Sequence, residues 1–408
     1  MKVFVGDLKV GMRLLEDVKG ANGRFLLAAD TILEEQHLRI FNIWGVSEVE
    51  VLGGNRAGED DTEPDPHLQA QAEEYVEGVF AYANMSVAPM KVLKEACIKH
   101  FVGELEKGNA LPEILMPIGG DLDIPDAPLF ESAGVFLKSG IRLAAFPDIY
   151  YKIMETLNDP GAGSENLADI ISKDSGLSAK LISLVNSPLY GFDLPVESLS
   201  RAVSLVGTDG VCQLALSVSV MEAFKGEHNV GFSMEDFWKH SLACAVFCRI
   251  LAQQVPGISQ DKCFVVGMLH DIGQLIMLQQ YSEKIDLAFQ LRMSRKISYC
   301  KAESIVFGFD HCELAGKLFE LWNIPPSITA GVVGHHGGRS GKLCIESAIC
   351  SVADAMAVAM QYGTDSFGLI NTPYPGSWDA LGLPDGAVVT TLSKARRQIA
   401  DILAIFGG

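Results

Sequence analysis

The constraint that most limits this chain is a helical rhythm of apolar residues running from about Phe146 to Gln361. Ile149, Ile153 and Leu157 follow Pro147-Asp148 at helical spacing, and Pro160-Gly161 ends that segment. The stretch NLADIISKDSGLSAKLISLVNS predicts two helices with a turn at Asp174–Gly176. Further helices are predicted over 198–206, 211–224, 234–254, 260–281, 282–294, 299–306, 311–322, 326–336 and 344–361. Strands do not alternate with these helices, which argues against a parallel-sheet enzyme. No fixed-period repeat is visible, which argues against a solenoid. The predicted fold class is mainly α.

The N-terminal residues read differently. Residues 1–54 carry short aliphatic and β-branched runs broken by Gly11, Gly20 and the Asn22-Gly23 turn pair, with one predicted helix from Glu34 to Trp44 and a last strand from Glu48 to Leu52. A small β-rich module is expected. It has no catalytic set, and its one histidine, His37, lies on a charged stretch and reads as solvated. Residues 55–66 form an acidic linker, with five acids between Glu59 and Asp65. Residues 67–140 are a helical and loop connecting segment: a polar helical stretch from His67 to about Lys107, then a Gly- and Pro-rich run. Residues 141–361 make one helical domain, divided into a half over 141–233 and a core over 234–361, and 362–408 form a C-terminal extension.

Charge and cysteine content narrow the function classes. The 408 residues hold 32 Lys and Arg against 51 Asp and Glu, a formal charge of −19. Affinity for nucleic acid or an anionic membrane leans on neutralising phosphates with cations, so neither is an expected partner. No segment reaches the 18 uncharged apolar residues of a membrane span; the stretch from Gly210 to Met221 stops at Glu222. Asp7 interrupts the N-terminus before a signal-peptide core can form. Nine cysteines without a C-x-x-C pair fit reduced thiols and a cytoplasmic location. Cys244 and Cys248, one turn apart, read as small thiols at a helix interface. Trp238 and Trp322 read as core residues.

One set of polar residues stands out within the apolar helices: His240, His270-Asp271, His311, His335-His336 and Asp354. Asp354 has Cys350, Val352, Ala353, Ala355, Met356, Val358 and Ala359 around it and no local cation. A carboxylate buried there costs several kcal/mol unless a partner compensates it. Taken singly, Asp354 reads as facing solvent or one polar partner, and His270 as a hydrogen-bonded core histidine. Imidazole nitrogens with carboxylate oxygens suit Fe, Mn, Co, Ni or Zn. Small residues (Ala243, Gly267, Gly273, Ala315, Gly316, Ala353 and Ala355) would let helices approach closely around such a site. Asp236, one turn before His240, is a further candidate ligand.

In this order and framing, the residues resemble the HD superfamily of metal-dependent phosphohydrolases, and within it the HDOD family (HD-related output domain). LADIISKDSGLSAKLISLVNSPLYGFDLPVESLSRAVSLVG is similar to that family's N-terminal half, including NS-x-x-YG at Asn186, Ser187, Tyr190 and Gly191. FWKHS, GMLHDIG and GFDHCELAGKLFELWNIP through VGHH follow in family order. The likeness covers roughly residues 140–360, and the N-terminal module is more weakly similar to β-rich segments found ahead of HDOD and HD-GYP domains.

The resemblance implies an all-helical HDOD domain in a bacterial signal-transduction protein, acting as a binding or scaffold output module on signalling proteins that the sequence does not identify. In that reading the cluster of His240, His270, Asp271, His311, His335, His336 and Asp354 is either empty or holds a divalent metal, from Fe, Mn, Ni, Co, Zn or Mg. The alternative is a phosphohydrolase of HD-GYP type acting on a cyclic dinucleotide or another nucleotide. In that reading His240, His270, Asp271 and Asp354 hold one metal, His311, His335 and His336 a second, and water activated beside the catalytic Asp271 attacks a phosphodiester. Two departures weaken it. The lysine of HD-x-G-K is replaced by Gln274, and Gly337-Gly338-Arg339-Ser340-Gly341 stands where an acid and a G-Y-P loop would follow the double histidine. Arg339 and Lys342 are the candidate phosphate-binding substitutes. A Tyr374-Pro375 pair lies 38 residues after His336, too far along the chain to be that loop. Oligomeric state stays open, because an apolar helix face serves a core or a dimer equally well.

Overall fold

Helical patterning is realised over most of the chain in a computed structural model. It describes residues 2–5, 8, 10–19, 25–43, 46, 48–52, 65–113, 124, 126–139, 148–158, 164–192, 194–224, 233–337, 343–363 and 369–406. The chain divides into two compact units, Met1–Gln69 and Ala70–Gly408. The expected linker falls almost wholly outside the described residues, as does the Asn22-Gly23 turn.

The first unit contains β1 (Lys2–Phe4), β2 (Arg13–Leu14), β3 (Val18–Lys19), β4 (Phe25–Leu27), α1 (Glu35–Ile43) and β5 (Glu48–Leu52). β5 lies between β1 and β2, antiparallel to both, with Val49 opposite Val3 and Val51 opposite Leu14. β3 and β4 form a separate antiparallel pair. Val49 and Val51 point inward at the period of two that a strand imposes, meeting Leu14, Leu33 and Phe41. His37 departs from the solvated role expected of it. It is half-buried, and its Nδ1 accepts the Glu34 N–H at 3.1 Å, satisfying a donor at the start of α1.

The second unit begins with α2 (Pro66–Val79), which runs across the division, and continues with α3 (Met90–Glu106) and α4 (Ala133–Lys138). Then come α5 (Asp148–Asn158), α6 (Ser164–Ser172), α7 (Ser175–Val185), α8 (Leu199–Val206) and α9 (Thr208–Ala223). The histidine-bearing part comprises α10 (Met234–Gln254), α11 (Gln260–Leu269), α12 (Ile272–Arg295), α13 (Tyr299–Phe307), α14 (His311–Leu321), α15 (Pro326–Val333) and α16 (Ile345–Ala359). α17 (Ser377–Leu381) and α18 (Gly386–Phe406) follow. Among the described residues no single helix is long and apolar enough to cross a membrane, and the bent pair α8 and α9 packs most of its apolar residues into the core.

Two stretches differ from expectation. The polar helical stretch after His67 is two helices, α2 and α3, separated by turns. The Gly- and Pro-rich connecting run is partly built into the core. Leu129 and Phe130 donate their N–H groups to the carbonyls of Val306 and Phe307, at 2.8 and 3.1 Å. Phe130 and Phe136 pack against Tyr281 and Phe309. Apolar residues too sparse to reveal a helix still anchor the run, because they meet partners distant in sequence.

The NS-x-x-YG segment is explained by packing. Asn186 donates to the Val196 carbonyl at 2.8 Å and accepts the Val196 N–H at 2.7 Å, closing the loop between α7 and α8. That loop carries Tyr190 to Asp261, whose Oδ1 accepts the phenol O–H at 2.7 Å and an Arg249 N–H. The Arg249 guanidinium also sits 4.0 Å from the centre of the Tyr190 ring. This triad fastens the N-terminal helical half to α10 and α11. α18 is held in turn by its packing on α10 and α3, and Arg396 donates to the neutral Nδ1 of His100 at 3.1 Å.

Asp261→Ala leaves the buried Arg249 charge uncompensated, so a loss of about 3 kcal/mol in unfolding free energy is expected from urea titration. Burial and the Arg396 charge hold His100 down at about 4, from the usual 6.5. Its neutral form therefore stabilises the fold fully above pH 6.5, and that contribution is lost as pH falls toward 4. The melting temperature of His100→Gln should fall less between pH 7 and pH 5 than that of the parent chain.

Candidate metal centre

The His-Asp doublet does not lie inside a continuous helix over 260–281. His270 is the C-terminal cap of α11, and Asp271, with φ −100° and ψ 12°, is the N-terminal cap of α12. On a straight helix the two side chains would diverge by about 100°. The break turns both toward one point. The predicted boundary at 281–282 is instead a kink inside α12, where Tyr281 leaves helical geometry.

Around that break, six of the seven predicted residues form two groups joined by Asp271. On one side, His240 Nε2 and His270 Nε2 stand 3.3 Å apart. Asp271 Oδ2 lies 3.1 Å from His270 and 3.7 Å from His240. Asp354 Oδ1 lies 3.3 Å from His240 and 3.8 Å from His270. On the other side, His311 Nε2 and His335 Nε2 stand 3.5 Å apart, and Asp271 Oδ1 lies 3.4 and 3.8 Å from them. His336, just beyond the end of α15, has its ring 4.0 Å from that of His335 and 5.2 Å from that of His311. Asp236 is not among the converging donors.

The imidazoles are oriented from behind. His270 Nδ1 bonds the Gly267 carbonyl at 2.8 Å, and His335 Nδ1 bonds the Val332 carbonyl at 2.6 Å. A carbonyl only accepts, so each Nδ1 carries a proton and each ring turns its Nε2 toward the cluster, where it offers a lone pair whenever the ring is neutral. His311 Nδ1 is bound by the fully buried Glu303 carboxylate at 2.7 Å, which also accepts the His311 backbone N–H. Sequence reading missed Glu303. Its spacing of eight residues from His311 was the available signal, hidden by the intervening loop.

Burial would neutralise these groups singly, and their mutual contacts reverse it. Burial disfavours charge on His270, but the Asp271 carboxylate outweighs it and holds His270 well above its ordinary range. Burial likewise opposes charge on Asp354, yet the contacts from His240 and His270 keep it well below the usual carboxylate range. His335 and His336 go the other way: burial and neighbouring imidazoles hold both low, His336 at about 4. Two ligands of one ion, with bonds of about 2.0–2.2 Å, stand roughly 3.0–3.5 Å apart. Each group holds donor pairs at that spacing, its longest separations being 3.7–3.8 Å, so the donor set fits divalent borderline metals. Cys300 and Cys312 bring further sulfur atoms beside His311, and neither was singled out from sequence.

The other sequence candidates are placed differently. Arg339 and Lys342 lie outside the described residues. Gln274 is half-buried in the first turn of α12. Tyr374, remote in sequence, packs its ring against Gly337, the residue after the double histidine, at a φ of +93°. A side chain at Gly337 would enter that ring. Chain separation hid this contact, by which the fold returns Tyr374 to the edge of the cluster. Cys244, Cys248 and Cys350 are fully buried where α10 meets α16, and burial pushes all three thiols up.

Residues 143–337 match the family model of the HDOD domain. A crystal structure of an HDOD domain protein of unknown function from Geobacter sulfurreducens is 25% identical, with a TM-score of 0.50 over 67% of this chain and 91% of that one. A structure from Marinobacter aquaeolei, provisionally named a signal transduction protein, is 21% identical, with a TM-score of 0.51 over 70% of this chain and 63% of that one. An uncharacterised Treponema pallidum protein is 23% identical over 200 residues, 48% of this chain. The match spans 38% of that curated relative's length.

Close packing of α12 on α14 positions the cluster. A Cβ at Gly273 would drive into the His311 carbonyl oxygen, and neither backbone can yield without moving His311 from Asp271. Gly273→Ala should therefore cost about 3 kcal/mol in urea unfolding, the upper range for overpacking a core.

Proposed function

We propose that the helical unit containing the HDOD match over residues 143–337 is a metal-holding signalling module, whose cluster binds two divalent cations and whose helical surface acts on partner proteins. The observation that carries this reading is Asp271, whose two carboxylate oxygens face different histidine pairs. His240, His270 and Asp354 would complete one site, and His311, His335 and His336 the other. Charge supports it too: bound cations offset two buried carboxylates that otherwise depend on protonated imidazoles. Binding without turnover is favoured by Gln274, which offers no positive charge where HD-GYP enzymes carry lysine.

The shared carboxylate also favours a second reading, a metal-dependent phosphohydrolase acting on a nucleotide or cyclic dinucleotide. A divalent cation held there supplies Lewis acidity toward a phosphoryl oxygen. The chain's own part is to hold Asp271 between the histidine pairs, and to fix the His311 ring through Glu303.

Protein purified without chelator and supplied with Mn2+, or with Fe2+ under anaerobic conditions, is expected to carry about two metal equivalents by elemental analysis. His240→Ala should lose one equivalent and Asp271→Ala both. Glu303→Gln should weaken metal affinity about 10- to 100-fold, the usual effect of losing a carboxylate behind a ligating imidazole. Absence of metal at every supply would overturn the reading. Hydrolysis of a chromogenic phosphodiester or cyclic di-GMP, abolished by His270→Ala, would move the assignment to the enzyme.

A further inference from the structure

A cavity of about 590 Å3 opens beside the cluster, with His336 and Cys300 in its wall and Tyr299, Tyr374, Arg292 and Lys296 around it. Its charged lining is unlike the chain as a whole. Acids outnumber bases 51 to 32 in the sequence, yet among the described residues the cavity wall holds an arginine and a lysine and no carboxylate. Arg292 is only 5% exposed. Its Nη2 donates to the Ile370 carbonyl at 3.0 Å and more weakly to that of Leu369 at 3.5 Å. Among the described residues no carboxylate lies within 4.0 Å of it, Asp354 acts on it from farther away, and its other donors are not sealed from the cavity. A guanidinium with two backbone acceptors behind it and further donors turned to a cavity presents those donors to an anion entering it. Lys296 stands at the rim, held at φ +53° as the C-terminal cap of α12, a conformation that glycine adopts more readily.

We infer that this cavity binds the phosphate group of a small phosphorylated molecule, with Arg292 and Lys296 contacting the phosphate beside the histidine cluster. The planar fork of Arg292 matches two phosphate oxygens at once, which an ammonium group cannot do. The volume suits a mononucleotide, and the tyrosine rings offer faces for a base. These cations occupy the role that sequence reading gave to Arg339 and Lys342. The inference deepens the proposed binding function by naming its ligand class, and it rests on that reading only in supposing that the cavity serves the cluster.

Calorimetric titration of the full chain with GMP, guanosine and inorganic phosphate, with Mn2+ and after chelation, tests the site. GMP is expected to bind at least about tenfold more tightly than guanosine, a difference typical of hydrogen bonds to a charged group. Arg292→Met should remove most of that difference, Arg292→Lys should restore part of it, and Lys296→Gly, which suits the backbone there, should weaken GMP a few-fold. GMP binding tighter than inorganic phosphate assigns a nucleotide, and equal affinities assign free phosphate; either supports an anion site if Arg292→Met reduces it. Wild-type affinity for GMP and phosphate in both Arg292→Met and Lys296→Gly overturns the inference. If Arg292→Met fails to fold by circular dichroism, unchanged binding in Lys296→Gly overturns it by itself. Binding seen only with metal and indifferent to both variants also overturns it, while leaving the metal reading intact. Binding that survives chelation and is lost in Arg292→Met supports it even if elemental analysis finds no metal.

Discussion

Asp271 is the residue on which the rest of this structure turns. Its carboxylate is largely removed from water and faces four imidazole nitrogens at 3.1 to 3.8 Å, two from each side. Charge in such a place is tolerated only when opposite charge or strong donors surround it. The second unit of the fold provides that surrounding from distant parts of the chain. α10 delivers His240, α14 His311, the turn after α15 His335 and His336, and α16 Asp354.

Helices can deliver short side chains to one point only if their backbones come close. Gly273 lies against the carbonyl of His311, and Gly267 lies against the backbone of Ala245 and the sulfur of Cys248. Removing Cβ at those contacts lets α12 meet α14 and lets α11 meet α10. The break between α11 and α12 adds the last requirement, since it aims consecutive residues at one centre. Behind these side chains, backbone carbonyls and Glu303 fix ring orientation, so the protein alone organises the cluster. The N-terminal helical half is fastened to this core by Arg249, Asp261 and Tyr190.

Much of this was legible in the sequence. Helical periodicity located most helices of the second unit to within a few residues, because an apolar stripe every three or four positions has one low-energy use in water. The seven His and Asp residues stood out as a set within apolar helices, and their reading as one cluster came from the resemblance to the HD superfamily. Other features were hidden. Nothing local in Glu303, Arg292 or Cys300 distinguishes them from ordinary helical residues. Their significance comes from what the fold places opposite them. Tyr374 was set aside on chain distance and proved to neighbour the double histidine.

By itself the sequence determined the class of fold, the set of His and Asp residues that the fold brings together, and the small residues that allow them to converge. Those are properties of residue type and local spacing, which periodicity and polarity report directly. Only the tertiary structure decided that the His-Asp doublet breaks a helix, that Asp271 divides its oxygens between two histidine pairs, and that a cationic cavity opens beside them. Each of these depends on distances between segments far apart in the chain. The packing of helix against helix sets those distances, and no local pattern encodes them.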